Sequence, residues 1–236
     1  MEEGWAGSHP LSTLLDTIAL TMKVLSLNVG LPRPVSWRGR RIMTGIFKEP
    51  VEGRLRLRPY NLEGDAQADL SVHGGPDKAV YGYPSEHYPF WRRELELDAL
   101  PWGAFGENLT TEGWWEDQVH VGDRFRVGTA ELVVTQPRMP CFKLALKFDR
   151  DDIVERFLES ERPGFYFAIV QEGEIGAGDS MERVHEDEHR VTVVDVVRLY
   201  LDSKGKSDPE LLRRAAGVEA LAEGWREHFR KRLGAR

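Results

Sequence analysis

The one cysteine of the chain, Cys141, lies in Gln136-Pro137-Arg138-Met139-Pro140-Cys141-Phe142-Lys143, bracketed by an arginine and a lysine. Cations beside a thiol favour the thiolate, the form that ligates metals and attacks electrophiles. Cys141 is therefore a candidate soft metal ligand or nucleophile, and a lone cysteine serves equally as a small buried hydrophobe. A second polar span, Gly64 to Tyr81, gathers Asp65, Asp69, His73, Gly74, Gly75 and Lys78 with no core-like periodicity before Ala79. Paired glycines let the backbone approach a ligand and expose N–H groups, and Lys78 adds a cation, a combination suited to phosphate. The span is neither a P-loop nor a dinucleotide fingerprint, so no nucleotide fold follows from it. Third, Glu107 and Asn108 close the glycine-rich run from Trp102 to Thr110. An acid beside an amide can read a heterocycle's donors and acceptors, and equally suits an ordinary turn. Trp37-Arg38-Gly39-Arg40-Arg41 is either a solvated basic loop or an anion-facing edge, with Arg40 in the second case. His87 is expected on the surface or at a helix cap.

Short strands and a few helices must position these groups. Val24–Val29, Thr44–Phe47 and Gly53–Arg58 are β-type runs, the last alternating strictly with its arginines on one face. Gln118–Val121, Arg124–Val127 and Glu131–Thr135 follow at tight-turn spacing, a barrel or sandwich texture. The last of these runs into Pro137, which puts Cys141 at a strand exit. A helix capped by Ser85 carries Tyr88, Trp91 and Leu95 on one side, and a second, Asp151–Glu159, buries Ile153, Val154, Phe157 and Leu158. Phe165–Gln171 is a strand, and Ile175–Asp179 closes the β region. Beyond His189 three helices are expected. The first is capped by Thr192, with a strand left open there by its many β-branched residues, the second starts at Ser207-Asp208-Pro209-Glu210, and the last runs from about Val218 to Leu233. Acids and bases interleave along them, which argues against a DNA-reading helix-turn-helix.

The 236 residues are 41% hydrophobic and 30% charged, the balance of a soluble globular protein. A formal charge of -7 disfavours a large nucleic-acid footprint. A single cysteine excludes an intrachain disulfide and agrees with a reducing cytoplasm. No apolar run is long enough to span a bilayer. Residues 1–21 open with Glu2 and Glu3 and carry Asp16, so they are expected as an extension rather than a secretory leader, with the folded domain starting at Met22.

Gly64-Asp65-Ala66-Gln67-Ala68-Asp69, His73-Gly74-Gly75-Pro76-Asp77-Lys78-Ala79-Val80-Tyr81, Gly106-Glu107-Asn108-Leu109-Thr110 and Gln136-Pro137-Arg138-Met139-Pro140-Cys141, in that order, resemble the MOSC family, named for the C-terminal domain of molybdenum-cofactor sulfurases. Thr44-Gly45-Ile46-Phe47-Lys48 and the terminal helices resemble its stand-alone YiiM-type branch. The resemblance implies a mainly β (α+β) fold: a MOSC-type β-barrel with peripheral helices over residues 22–187, then a three-helix domain over 188–236. It implies the molybdenum cofactor (molybdopterin), with Cys141 as the metal ligand or sulfur-bearing residue. Arg138, Lys143, Lys78 and Arg40 are then expected to neutralise anionic charge, and His73, Gly74, Gly75, Glu107 and Asn108 to form the pocket wall. The implied activity is oxidoreduction of N-hydroxylated bases such as 6-hydroxylaminopurine; the alternative is a sulfur carrier holding a Cys141 persulfide. Expected partners are a small N-hydroxylated substrate and a separate electron-donating reductase, with a homodimer admitted and neither nucleic acid nor membrane.

Overall fold

The computed structural model describes residues 22–68, 74–202 and 206–234. The expected N-terminal extension, residues 1–21, lies outside them. The chain opens with β1 (Met22–Val29), the hairpin of β2 (Arg33–Trp37) and β3 (Arg40–Thr44), and the short β4 (Glu49–Val51), β5 (Arg54–Arg58) and β6 (Asn61–Leu62). Next come β7 (Val80–Pro84), α1 (Tyr88–Glu94), β8 (Leu109–Glu112), β9 (Arg124–Val127) and β10 (Ala130–Pro137). The helices α2 (Phe142–Phe148) and α3 (Ile153–Glu159) precede β11 (Phe165–Gln171), β12 (Gly173–Gly176) and β13 (Ser180–His185). Three helices end the chain: α4 (Val193–Leu201), α5 (Pro209–Gly217) and α6 (Glu223–Gly234).

Strands β13, β9, β10, β11, β7, β8 and β1 form a ring that closes where Met22 of β1 pairs with Met181 of β13. Closure removes the exposed edges that an open sheet must protect. Alternation fills the interior: on β9, Phe125 and Val127 point inward while Arg124 and Arg126 face solvent. β7 is buried along its whole length, because Val80 enters the barrel core while Tyr81 and Tyr83 enter a second, aromatic core under α1, α2 and α3. There the Trp91 and Phe157 rings stack 5.5 Å apart, and the indole Nε1 of Trp91 donates to the Tyr83 hydroxyl at 2.6 Å. The terminal helices pack onto the barrel, with Val193, Val196, Leu199, Leu212 and Phe229 in one core with Phe125 and Leu132. Thr192 caps α4 in a reciprocal capping box with Asp195, and Asp208 caps α5. No helix among the described residues is long and apolar enough to cross a membrane.

Several local expectations are corrected. Thr44–Phe47 is not a strand: β3 ends at Thr44, and 45–48 is a loop. Gln118–Val121 forms only an isolated bridge, His120 to Thr192, although Val119 and Val121 are buried. α2 and β13 add elements that short apolar runs did not announce. Ser85 makes no capping bond, and α6 begins at Glu223 because Val218 leaves α5 with extended backbone. His87 does stand at the N-cap position of α1, one of its two expected places, but its side chain makes no capping bond and is buried, with Nε2 3.0 and 2.8 Å from the two carboxylate oxygens of Glu116.

Candidate functional site

β10 delivers the thiol. Its ladder with β11 ends at Pro137 paired with Phe165, after which Arg138 to Cys141 leave the sheet and lead into α2. Cys141 has extended backbone just before α2, and its thiol is free and half-buried. Beside it opens a cavity of about 680 Å³, walled by Arg138, Met139 and Lys143 on one side and by the Thr44–Lys48 loop on the other. The 45–48 loop passes so near the Asp65–Ala68 segment that a Cβ on Gly45 would stand 2.7 Å from the Ala66 carbonyl oxygen. Glycine is needed there for the close approach.

Arg138 is 6% exposed. Its guanidinium lies over the rings of Tyr81 and Phe157, 5.6 and 5.1 Å from their centroids, and its Nη1 has no partner among the described residues. Leaving a charged donor buried and unused costs more than an ordinary hydrogen bond returns. The cost is offset if a ligand brings an acceptor. Lys48, which pairs with Asp65, also lines the cavity. Asp65 accepts as well from the Gly30 amide at 2.9 Å and from Asn108 Nδ2 at 3.0 Å. Burial lowers the Lys48 and Lys78 pKa values, partly opposed by the charges of Asp65 and Asp77. Burial raises that of the Tyr166 phenol, partly opposed by Arg138, so Tyr166 keeps its proton well beyond neutral pH.

The predicted residues fall into distinct places. Cys141, Arg138, Lys143, Lys78 and Asn108 meet in this cavity. Asn108 does so with its amide engaged, Oδ1 accepting from the Tyr81 amide at 3.1 Å and Nδ2 donating to Asp65. Glu107 is fully buried and is not on the cavity wall. Its carboxylate accepts from the amides of Gly103 at 2.7 Å and Phe105 at 3.0 Å and from the hydroxyls of Thr110 and Tyr88, which fixes the 103–110 loop. Arg40 is exposed on the β2–β3 hairpin, whose tip pairs Arg38 with Asp151 and stacks Trp37 on Phe142. It does not line the cavity. Gly74 borders a neighbouring cleft, and Gly75, with φ +95°, starts the turn that carries Lys78. His73 lies outside the described residues. Lys48, Asp65, Tyr81 and Tyr166 are cavity residues that sequence reasoning left unassigned. Asp65 and Lys48 sat inside recognised motifs, but Tyr166 carried no signal beyond its strand.

This donor set suits a phosphate-bearing, metal-carrying heterocycle. Arg138, Lys48, Lys78 and Lys143 face a single acid, Asp65, on the cavity wall. Among the described residues no three His, Cys, Asp or Glu side chains cluster as a metal cage. A metal here would arrive with most of its ligands and take one soft donor, Cys141, from the protein.

The MOSC domain model matches residues 69–182, and the YiiM-like 3-alpha helix domain model matches 191–235. The chain is 43% identical over 210 residues to the Uncharacterized protein YflK of Bacillus subtilis, a match over 89% of this chain and 93% of that one. It is 33% identical over 164 residues to a protein of Gibberella moniliformis named Reductase, over 68% of this chain and 29% of that one. The crystal structure of YiiM from Geobacillus stearothermophilus superposes with a TM-score of 0.74 at 33% identity, covering 90% of this chain and 99% of that one. With the closed barrel, the Cys141 loop and the helical domain all matched, the chain belongs to the MOSC domain family, in the branch that carries the YiiM-like three-helix domain.

Proposed function

We propose that the cavity binds the molybdenum cofactor, with Cys141 as the metal's protein ligand, and that the protein is an oxidoreductase reducing N-hydroxylated bases such as 6-hydroxylaminopurine. Arg138 carries this reading, since a buried guanidinium with an unused Nη1 in the same cavity as a free thiol calls for an anionic partner. When bound, the cofactor supplies a soft metal and two-electron chemistry. The chain's own residues bind, orient and hold protons. Arg138, with Lys48, Lys78 and Lys143 around it, neutralises phosphate. The Asp65 carboxylate fixes the Lys48 ammonium and the Asn108 amide, so the wall is preorganised. Reduction of the N-hydroxyl group takes two electrons and two protons, breaks the N–O bond, forms an N–H bond and releases water. Tyr166 Oη, kept protonated by burial, holds a proton in the cavity for the departing oxygen. A separate reductase delivers the electrons in a reducing cytoplasm, because the sequence carries no second redox motif. The name of the Gibberella relative supports the oxidoreductase class.

Cofactor-loaded protein supplied with a reductant is expected to convert 6-hydroxylaminopurine to adenine, and Cys141→Ser or Cys141→Ala is expected to lower that rate at least about 100-fold, as loss of the metal's ligand implies. Unchanged turnover in both variants would overturn the ligand assignment. The half-buried free thiol also admits a persulfide carrier. Intact mass after exposure to a cysteine desulfurase separates the two, since a stable one-sulfur adduct on Cys141 favours the carrier.

A further inference from the structure

A second cleft, of about 970 Å³, lies between the end of β10, the Gly74–Lys78 turn and helices α4 and α6, and shares Lys78 and Met139 with the Cys141 cavity. Tyr200, Trp225 and His228 line it as an aromatic array, with the Tyr200 ring 5.0 Å from Trp225 and 5.3 Å from His228. Tyr200 is 45% exposed, an unusual position for a large aromatic side chain already surrounded by two rings. At the floor sits Gln136, 2% exposed. Trp225 Nε1 donates to its Oε1 at 2.7 Å, which fixes the amide's orientation and leaves Nε2 without an acceptor among the described residues. His228 Nε2 is also without a partner among the described residues. Burial and the nearby charges of Arg232 and Lys231 lower the His228 pKa, so the ring is neutral near pH 7 and offers one donor and one acceptor. Two buried nitrogens without partners beside exposed ring faces complement a flat molecule with hydrogen-bonding groups on its edge. Asp77 and Glu223 on the lining disfavour a phosphate here, unlike in the neighbouring cavity.

We infer that this cleft seats the base of the substrate: a neutral planar nitrogen heterocycle stacks on Tyr200 and Trp225, takes a hydrogen bond from Gln136 Nε2, and extends its N-hydroxylated substituent past Met139 toward Cys141. The inference rests on the proposed oxidoreductase reading and gives the helical domain a direct part in substrate selection. Gln136 and the α4–α6 aromatics are then specificity residues contributed by two different parts of the fold.

Binding of adenine and of 6-hydroxylaminopurine to the full chain, measured by calorimetry, tests it without any redox step. Tyr200→Ala is expected to weaken both about tenfold, as loss of one stacking face implies. Gln136→Glu keeps the acceptor for Trp225 and replaces the unpartnered donor by an acceptor, so it is expected to weaken both by a similar factor. No binding to the parent chain, or binding unchanged in both Tyr200→Ala and Gln136→Glu, overturns the inference. In loaded enzyme with a reductant, the KM for 6-hydroxylaminopurine should rise in Tyr200→Ala with kcat little changed. Turnover with an unaltered KM would sink the cleft assignment while leaving the oxidoreductase reading intact. Binding that responds to the cleft variants, with no turnover by loaded enzyme, would support the cleft and sink that reading instead.

Discussion

Arg138 concentrates the tension between stability and function in one side chain. Its buried guanidinium is held by two aromatic rings and leaves Nη1 unused, an arrangement a purely structural core would replace with an apolar group. Arg138→Met is therefore expected to leave the free energy of urea unfolding unchanged or raise it by up to about 1–3 kcal/mol through recovered desolvation, while cofactor retention falls at least about tenfold. Large destabilisation by this variant would show that the arginine is a structural strut. Glu107 behaves in the opposite way. Its carboxylate satisfies the Gly103 and Phe105 amides and two hydroxyls with no solvent contact, so Glu107→Ala should cost about 3 kcal/mol or more in chemical denaturation. Sequence made Cys141 and Arg138 legible together because they are neighbours along one loop. It misplaced Glu107, since an acid in a glycine-rich loop looks alike whether it faces a ligand or its own backbone amides. Tyr166 and Lys48 stayed hidden because they approach Cys141 only after the barrel closes.

At the scale of elements, α2 links the site to its loops. Lys147 on its last turn donates from Nζ to the carbonyls of Ile46, at 2.9 Å, and Gly103, tying both walls of the cavity to the helix that follows Cys141. Burial lowers its pKa to about 8, opposed by the Glu107 charge and reinforced by Lys48 and Arg138. Below about pH 8 the amine is protonated in both folded and unfolded chains, and the burial cost is fully present. Between there and the ordinary lysine value of about 10.4 the unfolded chain binds more protons, so this group's contribution to stability rises with pH. Denaturation series from pH 7.5 to 10 should show that rise in the parent chain and a flatter profile in Lys147→Met; identical profiles would mean that Lys147 is not the group responsible. Period-two alternation made β5 readable, and tight-turn spacing made β9 and β10 so. α2 was not, because Phe142–Phe148 is too short for helical periodicity to separate from a strand or loop. The basic hairpin tip looked like an anion site for a similar reason: its charge was visible, but the partner that neutralises it, Asp151, is far along the chain.

The whole molecule is a closed barrel whose core continues into the terminal helices. Val193, Leu212 and Phe229 share that core with barrel residues, so a chain ending after β13 should expose an apolar face and aggregate or resist refolding. A soluble, cooperatively melting truncation would show instead that the helices are an independent attachment. β-rich texture and the terminal helices were readable from turn spacing and caps, and the ordered motifs placed the chain in its family. Ring closure was not, because it depends on β13 returning to β1, a pairing that no local pattern encodes. That closure brings the Cys141 loop, the Asp65 segment and the Lys48 loop around one cavity. Elemental analysis of the chain purified from a host that makes the cofactor tests directly whether this cavity holds molybdenum through Cys141. About one molybdenum per parent chain is expected, falling at least about tenfold in Cys141→Ser. A parent chain from that host without molybdenum, or a Cys141→Ser chain that retains the full amount, would contradict the account.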